Sequence, residues 1–287
     1  MTQVVPRSFE LKRDQYPELW SNGRSYILRK QQHQPVTEGT YFIAQPVINL
    51  VLNGEKVVYT NEGERLHAPA GHLILIPKDV YVLQDIVPEN EAYDSLLFFY
   101  HKDVLLSIAD RLDLSMNART PKLTPIVLRM SSVVAEFAES ISRQLKLIQH
   151  PPASLIQLKL QELIQLILLD DPGPAFTEVL NHLDLGKTRD ISSFMEANYT
   201  KPLTIKDFAY LTGRSVSSFN REFRELFGDS PKSWVLNRRM EMAKQLVEQN
   251  SASMSSIAAE VGYENLSQFS ASFKNHFKVS PSEYGKV

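Results

Sequence analysis

The chain of 287 residues contains no cysteine. That excludes disulfides, thiolate metal sites and cysteine nucleophiles, and it fits a reducing compartment. No positively charged segment followed by an apolar one reads as a secretory leader, and no apolar run is long enough to span a bilayer. The richest stretch, 155–169, is interrupted by Gln157, Lys159, Gln161, Glu162 and Gln165. The expectation is a cytoplasmic chain without a membrane partner. A strong charge is missing too: the net charge is −2, so composition alone does not advertise nucleic-acid binding. The charge is unevenly divided, however. Residues 187–287 carry 14 Lys+Arg against 11 Asp+Glu, and the remainder 17 against 22. His33, His67, His72 and His101 never form a His-x-His pair, which is the usual start of an imidazole metal site on neighbouring strands. No metal and no cofactor are expected.

What is present divides the chain in two. Short apolar runs punctuated by turns fill residues 41–100 and predict β structure. Val47–Leu52 precedes Asn53-Gly54, a hairpin signal, and Lys56–Thr60 follows it. His72–Ile76 and Ser95–Tyr100 read as further strands. The period then becomes helical, over Val104–Leu112, along a stripe of Val133, Val134, Phe137, Ile141, Leu145 and Ile148, and over Leu155–Leu169. Asp170-Asp171-Pro172-Gly173-Pro174 is the clearest breaker cluster, and beyond it Phe176–Leu183 fits a short helix before Gly186. The expected organisation is a regulatory and dimerisation domain over 1–172, a linker over 173–186 and a helical domain over 187–287. The fold class is α+β: a cupin-like antiparallel β-barrel with a helical pair, then an all-α domain.

The helical domain writes one module twice. Ala209, Gly213, Phe219, Phe223, Phe227, Pro231 and Trp234 are matched by Ala258, Gly262, Phe269, Phe273, Phe277, Pro281 and Tyr284, with one extra residue after the second Gly. A small residue, a Gly four positions on and then a helix with aromatics at i and i+4 is how a helix-turn-helix reads in sequence. Thr204 and Ser215 are suited to N-cap helices. In the first copy, Val216, Phe219, Phe223, Leu226 and Phe227 form a core face, and Ser217, Asn220, Arg221 and Arg224 form a polar ridge. In the second, Leu266, Phe269 and Phe273 are expected inside, with Ser267, Gln268, Ser270, Ala271 and Lys274 outside. Arg bonds guanine and Asn bonds adenine in bidentate fashion, so such ridges suit a major groove. Between the copies, Pro231–Glu248 reads as one connector helix.

These residues resemble the AraC/XylS family of bacterial transcription regulators. The resemblance is carried by Leu203-Thr204-Ile205, Ala209, Gly213, Ser217-Ser218-Phe219-Asn220-Arg221, Phe223, Gly228, Ser230-Pro231, Arg239 and Ala243. It continues through Ile257-Ala258, Val261-Gly262-Tyr263, Phe269, Phe273-Lys274, Ser280-Pro281 and Tyr284. It covers about the last hundred residues. His150-Pro151-Pro152 and Lys159-Leu160-Gln161-Glu162-Leu163 are similar to the regulatory domain of type III secretion activators. Arg239 resembles the family's structural arginine. The chain departs from the family at Ala271, where members often carry Arg, at Lys278, where they carry Gly, and at Gly285, where they carry Arg. Ala271 cannot bond a base edge, so the second module should read sequence less strongly than the first.

The resemblance implies a DNA-binding activator, not an enzyme, that reads two successive major-groove segments of double-stranded DNA. The implied DNA-binding residues are Ser217, Asn220, Arg221, Arg224, Ser267, Gln268, Ser270 and Lys274. Implied partners are RNA polymerase, a second copy through helices 131–149 and 154–169, and a small-molecule or protein effector acting on the N-terminal domain. The alternative is a cupin-type enzyme with an appended DNA-binding domain. A DNA-repair alkyl acceptor would need a thiolate, which the chain does not have.

Overall fold

The structure is a computed structural model that describes residues 2–34, 36–60, 63–112, 124–169, 176–177, 190–249 and 252–285. The chain divides into two compact units, Gln3–Gly186 and one built on Lys187–Val287. Of the expected linker, only 176 and 177 are described, so Gly186 and most of the expected Phe176–Leu183 helix lie outside the described residues.

Among the described residues, the first unit holds two sheets. One contains β1 (Gln3–Val5), β4 (Val36–Ile43), β9 (Val80–Ile86), β6 (Glu55–Tyr59) and β7 (Arg65–Pro69), in the order β1-β4-β9-β6-β7. The other contains β11 (Ile126–Arg129), β8 (His72–Ile76), β5 (Val47–Asn53), β10 (Tyr93–Phe99), β3 (Tyr26–Gln32) and β2 (Leu19–Ser21), in the order β11-β8-β5-β10-β3-β2. Pairing is antiparallel except between β1 and β4, which run parallel.

The central strands of the six-stranded sheet are apolar on both faces because both faces are covered. Val47, Val51, Ile74, Ile76, Tyr93, Leu97 and Phe99 point into the cluster between the sheets. The intervening Ile48, Leu50, Leu73, Leu75, Leu96 and Phe98 belong to a second cluster, formed with three helices. The short α1 (Arg7–Leu11) lies beside β1, and the three are α2 (Lys102–Leu112), α3 (Ser132–Leu147) and α4 (Ala153–Leu169). Val134, Phe137, Ile141 and Leu145 of the expected stripe are buried there, but Val133 is 48% exposed. The Trp20 indole N–H closes the edge of this layer by donating to the Ile148 carbonyl (2.7 Å).

The expected hairpin at Asn53-Gly54 is not one. β5 pairs with β8 and β10, whereas β6 pairs with β7 and β9 in the other sheet. The turn instead carries the chain from one sheet to the other. Gly54 has φ +79°, and a Cβ there would lie 2.5 Å from the Ile86 carbonyl. Only Gly54 is left-handed; Asn53 stays in β5, so the two-residue hairpin turn does not form. A strand apolar on both faces belongs in the centre of a covered sheet, and that decided its partners.

The second unit is helical: α5 (Ile191–Asn198), α6 (Ile205–Leu211), α7 (Val216–Phe227), α8 (Pro231–Gln249), α9 (Met254–Glu260), α10 (Leu266–Phe277) and α11 (Pro281–Tyr284). The architecture is therefore α+β, a sheet-and-helix unit followed by an all-helical one. Among the described residues, no helix is long and apolar enough to cross a membrane.

Candidate nucleic-acid interface

Each module is a short helix, a turn and a twelve-residue helix. Thr204 starts α6 with a capping box, its side chain accepting from the Asp207 N–H while Asp207 accepts from the Thr204 N–H. Ser215 caps α7 by accepting from the Ser218 N–H. In the second copy, Ser253 caps α9 and Asn265 caps α10 through the N–H groups of Ser267 and Gln268. The extra residue of the second turn lies in 261–265, against 212–215 in the first.

The aromatic residues repeat as well. Phe223, Phe227 and Trp234 form a triangle with centroid distances of 4.4, 5.8 and 5.0 Å. Phe273, Phe277 and Tyr284 form its counterpart at 4.6, 5.7 and 5.7 Å. Phe219, Phe223, Phe269 and Phe273 are fully buried, so they build the wedges and are not base-stacking platforms. Three expected core residues are exposed, Val216 at 40%, Leu226 at 54% and Leu266 at 41%, and Phe227 is half-buried. All three exposed residues sit in the first or last turn of their helices.

The expected ridges do face outward. Ser217, Arg221 and Arg224 on α7 are exposed, as are Ser267, Gln268 and Lys274 on α10. Asn220 and Ser270 are half-buried. Asn220 also donates from its amide to the Val216 carbonyl one turn back (2.8 Å). One of its two amide hydrogens is thus committed to the helix. The Ser217 hydroxyl lies 3.0 Å from that of Ser215. Arg221, Arg224 and Lys274 have no side-chain partner among the described residues. Two nearby arginines are engaged. Arg214 binds Glu222 (2.6 Å) and the Thr212 carbonyl (2.7 Å). Arg238 binds Glu196 (2.6 Å) and lies over the rings of Tyr199 and Trp234.

The turns use left-handed backbone at Gly213 (φ +73°) and Gly262 (φ +89°), and both twelve-residue helices end in the same conformation. Gly228 ends α7 at φ 70°, where no Cβ penalty arises; Lys278 ends α10 at φ 67°, where one does. Replacing Lys278 with glycine should therefore raise the stability of the helical unit by about 1 kcal/mol. Thermal unfolding of the two chains checks this, and an unchanged or lowered Tm would contradict it.

Among the described residues, no three His, Asp or Glu side chains converge as a metal site. His67 pairs with Glu55 and His101 with Asp103. The buried charges lie elsewhere, between the sheets. Asp85 accepts from Lys30 (2.5 Å) and from Lys56 (2.7 Å), and all three residues are at most 6% exposed. Burial alone would raise the Asp85 carboxyl, but the two ammoniums more than offset that and hold it well below the usual carboxylate range. No local motif marks this triad, because its members come from β3, β6 and β9. The available signal is parity: each charge occupies an inward position of its strand, in register with Leu28, Val58 and Leu83.

A family profile described as a helix-turn-helix domain matches residues 208–286. One described as the ExsA N-terminal regulatory domain matches residues 46–179. The virulence regulon transcriptional activator VirF of Yersinia enterocolitica is 29% identical over 167 residues, which is 58% of this chain and 62% of VirF. The HTH-type transcriptional regulator ExsA of Pseudomonas aeruginosa is 31% identical over 140 residues, 49% of this chain and 50% of ExsA. The chain thus spans less than two thirds of the length of these relatives. Among solved structures, an apo ToxT variant from Vibrio cholerae aligns with 92% of this chain and 98% of its own, at 14% identity and a TM-score of 0.44. With one profile over most of the sheet unit and the other over the duplicated module, the chain carries an AraC-type helix-turn-helix domain and a domain of the ExsA N-terminal regulatory type.

Proposed function

We propose that the chain is a sequence-specific DNA-binding transcription activator whose helices α7 and α10 enter two successive major-groove segments of one duplex. The observation that carries the reading is the duplicated wedge. Phenylalanines are buried on one face of each recognition helix, and on the other stand Arg221, Arg224 and Lys274, charged, exposed and unpaired among the described residues. The connector α8 has 19 residues, about 28 Å at the rise of an α-helix, which is comparable to the roughly 34 Å between successive groove faces. The matched relatives are transcription regulators, which supports a regulator over an enzyme.

In this reading Arg221 reads a base edge, Asn220 assists with its remaining amide atoms, and Lys274 anchors phosphate. Ser217, Arg224, Ser267, Gln268 and Ser270 complete the contact surface. Arg221→Ala should cost about 1–3 kcal/mol of binding and relax preference at one base pair, measured on a duplex selected by the unmodified chain. Unchanged affinity and footprint would contradict the assignment. Binding should also weaken steeply with salt, because released counterions drive much of it.

Residues 1–172 act as the regulatory domain, 173–186 as the linker and 187–287 as the DNA-binding domain of a cytoplasmic protein that recruits RNA polymerase. A second copy docks through α3 and α4, which leave Val133, Leu147, Leu158 and Leu169 at the surface. The cavity between the sheets, bordered by Lys30 and Lys56, measures about 20 Å³. That is room for about one water molecule and far below the roughly 300 Å³ of a small-molecule site.

A further inference from the structure

The two modules are joined by α8, and one side chain in the middle of that helix holds both. Arg239 donates from Nε to the Tyr199 carbonyl (2.7 Å) and from Nη2 to the Lys201 carbonyl (2.6 Å), in the segment that leads into the first module. From Nη1 it donates to the Gly262 carbonyl (3.0 Å), in the turn of the second module. Its guanidinium lies 5.7 Å from the centroid of the Tyr263 ring. All three acceptors are main-chain carbonyls, so the fork is aimed at backbone positions and does not neutralise an acid. The two segments also touch directly. A Cβ at Gly262 would lie 2.2 Å from the Thr200 carbonyl oxygen, a contact only a glycine permits.

A helix fixes the distance between its ends, but a module hung from one end can still rotate about the connecting chain. Hydrogen bonds from mid-helix to both modules remove that rotation. The Tyr199 side of the clasp is itself held by α8: its ring packs edge-on against Trp234, and its hydroxyl reaches the Met242 sulfur (3.6 Å). We infer that Arg239 is a positioning residue that sets which half-site spacing the two recognition helices accept. Moving one half-site by a base pair displaces it by about 3.4 Å along the duplex and turns it by about 35° around the axis. A locked pair of helices cannot follow that move, and an unlocked pair can. This inference rests on the two-groove reading proposed above.

Lysine at this position keeps the charge, but one ammonium cannot serve three carbonyls that a planar fork spans. The test uses the full chain, Arg239→Lys and Arg239→Gln. Its probes are a duplex selected from a random library by the unmodified chain, that duplex with one base pair inserted between its halves, and that duplex with one half scrambled. The unmodified chain should lose about a hundredfold in affinity on insertion, down to the level of the scrambled duplex, as simultaneous engagement is lost. The variants should lose only severalfold on insertion while binding the scrambled duplex as the unmodified chain does. A spacing penalty retained in full by both variants would overturn the inference and leave the two-groove reading intact. So would an equal loss on all three probes accompanied by a lowered Tm, which is what a merely structural arginine gives. If the unmodified chain selects no two-part duplex, the two-groove reading fails and takes this inference with it.

Discussion

Asp85→Ala is expected to destabilise the sheet unit by about 3–5 kcal/mol, because it strands two buried ammoniums without a counter-charge. Asp85 is 2% exposed, and Lys30 and Lys56 are 6% and 4% exposed, so water cannot take over the role of the carboxylate. With total stabilities of about 5–15 kcal/mol for a folded domain, the loss is a large share of the whole. For a unit of this size the thermal transition should fall by roughly ten degrees or more. Asp85→Asn keeps the shape and removes the charge, so it should lose nearly as much. Replacing all three residues together by apolar side chains of similar volume should restore most of the stability, since a buried ion cluster is weak in net terms and costly only when broken. An alanine variant that melts with the unmodified protein would mean that the triad is hydrated in solution. The pH behaviour follows from the sign of the shift. Because the folded carboxyl titrates below its unfolded value of about 3.9, its contribution is fully present above that pH and is lost only as the pH falls through the lower folded value. Acid-induced melting near neutrality should therefore not originate here.

Gly262→Ala is expected to damage the helical unit far more than Gly213→Ala, although the two glycines occupy equivalent turns. Both have positive φ, +73° and +89°, which costs an alanine about 1–2 kcal/mol. At Gly213 nothing lies within 4 Å of the added Cβ, so the conformational cost is all there is. At Gly262 the Cβ would overlap the Thr200 carbonyl at 2.2 Å and press on the Arg239 guanidinium at 2.9 Å. The second turn must then withdraw from the first module, adding about 1–3 kcal/mol of overpacking. Chemical denaturation of both variants measures the difference. Equal midpoints would show that the contact between the modules is not maintained in solution.

The same pair of glycines shows how far the sequence could be read. The 4-residue steps between phenylalanines, the caps at Thr204 and Ser215 and the repeated Gly were legible because they act within one helix or one turn. The outward ridge with Arg221 and Lys274 followed from the same periodicity. The interval pattern could not separate Gly213 from Gly262, because the distinguishing neighbour, Thr200, belongs to another element. Val216, Leu226 and Leu266 fit the apolar stripe yet stand exposed, since periodicity gives a direction and not the length of the partner that covers it. Gly54 marked the end of β5, but Asn53-Gly54 misled about the pairing, because the partners of β5 were decided by layers covering both its faces. The Lys30–Asp85–Lys56 triad left only a parity signal, since its members are far apart in the chain and meet only once both sheets are packed.

The proposed double reading of the duplex stands or falls with the site that the full chain selects from random double-stranded DNA. Two enriched blocks should emerge about one helical turn apart on the same face, and Arg221→Ala should erase preference at one position of one block only. A single enriched block, or binding with no sequence enrichment and a salt dependence alone, would show that α7 and α10 do not enter one duplex together.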